Sequence, residues 1–342
     1  GKWAGLSAAA LYAVSPLVVA YSRSSWNPNP VPFFTLLMLY LLYKGIKNQK
    51  LKLFLFAGAL FGILMQLHYI VVFLGLIVLF YMLIGDKISQ KKFNVLKLVN
   101  QYFMFAVGFV VTFLPFLLFE IKNNFPNFRT IFNFIFTTTT ETQKGGGKFV
   151  DIVGDVFIRL FGRLLLRFPP VEQLYAHTNT ELLIWKVSIF IIVILSILFL
   201  IKSKQKLVIL LFAFWGIMGI VLFGFYKKSI YDYYFGFLFP IPFLLLGNFI
   251  GNFPNLFKDK KYKHFAIVLS IAVFSGLFIY NLFGMPFRYA PNKQMAQMRR
   301  IAEAVLAQTN GQPYNFALLT PGNSDHAYRY FFEISGQPPV TI

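Results

Sequence analysis

Apolar residues in this chain come in long runs separated by short polar breaks. Nine runs stand near residues 5 to 21, 31 to 43, 52 to 67, 69 to 84, 98 to 119, 181 to 201, 207 to 226, 233 to 250 and 265 to 284. A bilayer core about 30 Å thick needs roughly 20 apolar residues per helical span, fewer where the bilayer thins. The pattern predicts an all-α polytopic membrane protein with about nine transmembrane helices. The runs 52 to 67 and 69 to 84 are short and read as a hairpin whose turn carries Gln66, His68 and Tyr69.

Two stretches break the rhythm, 120 to 180 and 285 to 342. Within the first, TTTTETQKGGGK (137 to 148) is polar and glycine-rich and is expected to be flexible. It leads into FVDIVGDVFIRLFGRLLLRFPP, where Asp151 and Asp155 come early and Arg159, Arg163 and Arg167 recur every four residues. Acids near the start and bases toward the end suit the helix dipole, and one apolar face predicts an interfacial helix near 149–168, ended by Pro169 and Pro170. After residue 284 the pattern reads helix, turn, strand (YNFALLT), helix, as in a small α/β segment. The predicted organisation is a membrane domain over 1–284 and an extracytoplasmic α/β segment over 285–342, with no glycine-rich nucleotide fingerprint.

Composition agrees: 57% of residues are hydrophobic and 13% charged, too apolar for a soluble domain of 342 residues to cover its own surface. Charge then orients the chain. Short lysine-rich loops at 44 to 52, 85 to 97, 202 to 206 and 252 to 264 belong in the cytoplasm. Alternation puts 22 to 30, 120 to 180, 227 to 232 and the tail outside a cell membrane, with the first residue inside. Sequence upstream of Gly1 is expected to be missing. On this topology all nine arginines are outer. The cytoplasmic half of the +20 net charge is accounted for by topology and membrane lipids. The outer arginines Arg23, Arg129, Arg159, Arg163, Arg167 and Arg288 point to an anionic partner, since guanidinium grips phosphate bidentately. Snorkelling anchors and ion pairs are the other reading for each. No nucleic-acid partner is expected.

Candidate chemistry gathers at the outer ends. YSRSSWNPNPVPFF (21 to 34) sets Arg23, Trp26 and Asn27 in a break between two runs. His68 and Tyr69 offer a polar contact to a sugar or phosphate, or a proton shuttle, against the plainer reading of a polar turn. YKKSIYDYYFGFLFPIP (226 to 242) places Lys227 and Lys228 against the topological bias, beside Tyr231 and Tyr234, with Asp232 as a partner for a lysine or as a base. There is no cysteine, no histidine spacing for a metal, and no paired carboxylates of the glycosidase type. No cofactor is assigned with certainty, and a divalent metal stays open. Internal repeats and midplane charges, which many transporters carry, are missing.

The order AALYAVSPLVVAYSR, WNPNP, VPFFTLLMLYLL, AGALFGILMQLHY, followed later by KKSIYDYYFGFLFP, resembles the GT-C glycosyltransferase superfamily. The similarity is to the bacterial protein-mannosyltransferase-like and aminoarabinose-transferase-like group, glycosyltransferase family 39. The resemblance implies a polyprenyl-phosphate-linked sugar donor and a lipid, glycan or protein acceptor at the outer face. It also implies a general base in an outer loop that would precede residue 1, so the catalytic residue is unassigned. Asn27 stands where the family often has an aspartate. Donor phosphate contacts are expected from Arg23, Lys227, Lys228, Tyr231 and Tyr234, and the cavity from Trp26, Asn27, His68, Tyr69, Arg159 and Arg163. Rival readings are a lipid-linked glycan polymerase or ligase, a transporter or flippase of anionic lipids, and a scaffold without chemistry.

Overall fold

The structure, a computed structural model, describes residues 1–89, 94–136, 148–226, 229–291, 293–319 and 324–340. The run expected to be flexible lies outside the described residues, apart from Lys148. Every apolar run becomes helical. The first breaks in two, because Pro16 has no N–H with which to continue a helix. Helix α1 (Lys2–Ala13) and helix α2 (Pro16–Ser22) therefore meet at 64°. Then come α3 (Val31–Asn48), α4 (Leu51–Leu67), a 3₁₀ turn (Tyr69–Val71) and α5 (Val72–Ser89). Helix α6 (Val95–Lys122) is followed by α7 (Pro126–Phe136), α8 (Phe149–Leu166) and α9 (Asn179–Lys202). Helix α10 (Lys206–Phe212) runs through a π turn (Ala213–Met218) into α11 (Gly219–Val221). A 3₁₀ segment (Asp232–Leu238) bends by 50° into α12 (Pro240–Asn252), and α13 (Lys260–Leu282) completes the bundle.

The expectation of about nine spans is corrected by length and apolarity. Among the described residues five helices are long and apolar enough to cross a membrane, or seven if each bent pair counts as one. Helix α3 carries Lys44 and Lys47 in its last turns, and α4 covers only about 26 Å at 1.5 Å per residue. Half of the apolar window of α5 is buried, against 11% for α6 and for α13, so α5 sits inside the bundle and the other two on its perimeter. The tightest pairing is α4 on α6. Gly58 faces the Phe105 carbonyl and Gly108 faces that of Leu55, too close for any Cβ. Small residues let helices approach where no water drives them together. Thr112 Oγ1 donates to the Ala59 carbonyl (2.8 Å) and Gln66 Nε2 to that of Thr112 (2.9 Å).

Helix α8 packs one face against the bundle. Val156, Leu160, Phe161, Leu164 and Leu165 are buried, and its last carbonyls are capped by other spans. Ser15 Oγ donates to Leu164 O (2.9 Å) and Asn281 Nδ2 to Leu165 O (3.0 Å). Leu166 O receives both the Tyr280 hydroxyl (2.8 Å) and the Trp185 indole N–H (3.2 Å). Arg167, in the left-handed region at φ 54°, closes the helix and donates to Tyr280 O (3.1 Å). A helix C-terminus away from water needs such partners, and the neighbouring spans supply them.

The chain divides into two compact units, Gly1–Pro286 and Phe287–Ile342. The second holds α14 (Gln294–Thr309) and α15 (His326–Ile334). The α/β expectation fails here: no strand forms among the described residues, and residues 312–319 have no regular structure. The alternation was real, since Tyr314 and Phe316 point together and pack on Phe332 (centroids 5.6 and 4.8 Å). No second strand lies beside them to complete a ladder; the described backbone tie is Val340 N–H to Tyr314 O (2.8 Å). Arg329 holds the Asp325 carboxyl below its usual range through a 2.6 Å contact.

Candidate functional site

One buried acid organises the end of the bundle opposite the lysine loops. Asp232 begins the 3₁₀ segment, is 4% exposed, and receives guanidinium groups from α8. Arg159 Nε donates to Asp232 Oδ1 at 2.8 Å and Arg163 binds Oδ2. Arg159 also reaches Ile230 O (2.8 Å) and Asp155 (2.9 Å) and lies over the Phe235 ring. The four-residue repeat of arginines puts both donors on one face of α8. Burial lowers the pKa of Arg163 from its ordinary value, yet guanidinium remains charged. Trp215, set by the π turn, donates its indole N–H to Phe237 O (2.8 Å) and fixes the far side of the same segment.

Around this pair stands a cluster of rings from four chain segments. Trp26 lies 4.2 Å from Tyr233, and Tyr21 lies 6.4 Å from it. His68 stacks on Tyr69 (4.8 Å) and neighbours Tyr234 (5.1 Å) and Tyr233 (5.6 Å). The Tyr69 and Tyr226 hydroxyls are 3.1 Å apart. His68 Nδ1 accepts the Ile70 N–H (3.3 Å), so the neutral ring carries its proton on Nε2. Burial lowers the imidazole pKa to about 4, so that the ring is a neutral donor near pH 7. A pocket of about 120 Å³ opens beside the cluster between Tyr21, Ser22, Pro28, Asn29, Tyr233 and Phe239.

The structure brings Trp26, His68, Tyr69, Tyr231, Tyr234, Arg159 and Arg163 to this one end of the membrane unit. Lys227 and Lys228 lie outside the described residues. Arg23 and Asn27 are exposed in the loop after α2, and no described residue pairs with the Arg23 guanidinium. Asp232 takes arginines where a lysine was the expected partner. Tyr21, Asn29 and Tyr233 were not singled out by sequence reasoning. Tyr233 was within reach, because Tyr231 and Tyr233 flank the acid; the pairing across to Trp26 had no local signal. Among the described residues no three His, Cys, Asp or Glu side chains gather as a metal site.

Fold and site together define a class: a polytopic helical membrane protein with an arginine-braced aromatic mouth at the end opposite its lysine loops. Residues 1–119 match the model of the dolichyl-phosphate-mannose-protein mannosyltransferase family. No curated protein and no solved structure matches the chain. The match covers about a third of the chain and is a likeness of that part to a GT-C mannosyltransferase-like family.

Proposed function

We propose that the chain moves a sugar from a polyprenyl-phosphate donor to a lipid, glycan or protein acceptor on the outer face of the cell membrane. On this reading the first residue is cytoplasmic and the tail extracytoplasmic. The observation that carries the proposal is where the family match falls. Residues 1–119 contribute Tyr21, Trp26, His68 and Tyr69, which supply one half of the aromatic mouth. In the transfer the acceptor oxygen bonds to the anomeric carbon as the bond from that carbon to the phosphate oxygen breaks, the electron pair of the broken bond stays on the phosphate, and the acceptor's proton passes to a general base. Charge gathering on the departing phosphate is stabilised by donors already aimed at it.

Arg23 suits that role because it is exposed and no described residue pairs with it; Lys227 and Lys228 are further expected contacts. Arg159 and Arg163 already meet Asp232 and act by keeping the mouth electropositive and in shape. Asp232 has a guanidinium on each oxygen, which leaves it a poor proton acceptor. The general base is therefore unassigned.

The test uses the full chain in lipid nanodiscs with radiolabelled polyprenyl-phosphate sugars, following release of the lipid phosphate. Arg23→Ala is expected to lower turnover about a hundredfold, the loss typical of one transition-state donor. Turnover unchanged by that substitution removes the phosphate assignment. Labelled lipid crossing vesicles with no donor consumed replaces the transferase with a flippase.

A further inference from the structure

Trp26 and Tyr231 are 44% and 56% exposed, and Tyr233 stands between them. It is 4.2 Å from the Trp26 ring and lies nearly parallel to Tyr231, at 13° and 5.7 Å. An isolated exposed aromatic at a membrane interface is an ordinary anchor. Anchors spread around the perimeter, whereas these rings come from two distant segments and pile onto one another.

Both segments are held before any ligand arrives. Asn29 Nδ2 donates to the carbonyls of Tyr21 (2.7 Å) and Ser24 (2.5 Å), tying down the loop that bears Trp26. Asp232, between Tyr231 and Tyr233, is fixed by Arg159 and Arg163. Rings placed in advance lose little entropy on binding.

Charge narrows the choice of ligand. Aromatic clusters also take cations, but the acids beside these rings, Asp155 and Asp232, are already engaged by Arg159 and Arg163, so neither is left to hold one. A pyranose has a face of C–H groups suited to the negative face of an aromatic ring, and hydroxyls around its rim. The neighbouring pocket of about 120 Å³ is below the roughly 300 Å³ from which ligand pockets usually start, so it has room for a substituent and not for a ring plus its aglycone. The sugar would therefore lie on the open rings.

We propose that Trp26, Tyr231 and Tyr233 form a stacking platform for a pyranose without positive charge, with His68 Nε2–H as a donor to its rim. The platform rests on the transferase reading and adds to it the surface that recognises the sugar.

Methyl α-mannopyranoside is the probe, with choline as the cationic control, and saturation-transfer NMR on the full chain in nanodiscs is the readout. Transfer is expected to fall on one face of the sugar ring and to be absent from choline. Trp26→Ala or Tyr231→Ala weakens mannoside binding about tenfold, the equivalent of one aromatic contact, and Trp26→Phe restores most of it. Both positions are exposed, and unchanged thermal unfolding of the variants keeps misfolding out of the result. Mannoside binding unaffected by both alanines, or choline bound in place of mannoside, overturns the platform. Donor turnover is measured on the same samples. Turnover that persists while the alanines leave binding and KM unchanged defeats the platform alone. Mannoside binding that depends on Trp26 without any turnover defeats the transferase alone.

Discussion

At one end of the bundle Lys47, Lys50, Lys52, Lys87, Lys202 and Lys204 are exposed, and no ion pair among the described residues contains a lysine. At the other end Arg159 and Arg163 keep 13% and 20% of their side-chain exposure and close around Asp232. A second cavity, about 310 Å³, lies at the lysine end and is lined by Gly1, Lys202, Gln205, Asn248, Asn252 and Asn255, amines and amides with no carboxylate among them. Positive charge at the two ends therefore does different physical work. Lysines act on the surrounding field and lipid, need no fixed geometry, and can be placed by loop position alone. Arginines act through geometry, and their value depends on the carboxylate that meets them.

The sharpest way to break this contrast is Asp232→Ala, which strands two largely buried guanidinium groups. Removal of one partner from a buried pair costs about 3 kcal/mol or more. Detergent-solubilised protein is expected to unfold well below wild type. A loss no greater than that of a surface lysine substitution would show that the arginine end is no more organised than the lysine end.

Ser15→Ala comes next. It removes one of four side-chain donors at the C-terminus of α8 and should cost about 1 kcal/mol, read as a lower thermal midpoint. A smaller, pH-gated effect belongs to His68. Its folded pKa, about 4, lies below the ordinary 6.5, so between these values the unfolded chain binds more protons. Stability from the neutral ring is full above about 6.5 and drains away as pH falls toward 4. Thermal midpoints measured from pH 7 to 5 should decline more steeply in wild type than in His68→Gln.

Least of all is expected from Lys52→Ala and Lys87→Ala, each within about 0.5 kcal/mol of wild type. Replacing the lysines of several inner loops together should leave the folded stability nearly intact and disturb membrane orientation. Protease protection of the tail checks it.

Much of the helical framework was legible because a hydrocarbon environment writes itself into hydropathy. The runs at 98 to 119 and 181 to 201 became α6 and α9, extended by one or two turns at most. Pro16 was visible without revealing a 64° break, since proline also opens an ordinary helix. The reading of α8 followed its local amphipathicity, whereas the caps on its last carbonyls depend on Ser15, Trp185, Tyr280 and Asn281 arriving from elsewhere. The site was half legible for the same reason. His68, Trp26 and the YDYY segment stand out singly by type and position, whereas the Arg159 and Arg163 contacts to Asp232 span 73 and 69 residues. Nothing local in YNFALLT could reveal that no strand forms among the described residues.

The Ser15 contact to Leu164 also sets a clock on biogenesis. Its two residues are 149 positions apart in the chain. At about 5–20 residues per second of synthesis, the broken first helix waits roughly 10–30 s in the membrane before its partner exists. For that interval the serine and the interrupted backbone beside it must find hydrogen bonds in water, in lipid headgroups or in the insertion machinery. This early segment is thus finished late, and arresting synthesis shortly before residue 164 should leave it in a measurably different membrane position from the completed chain.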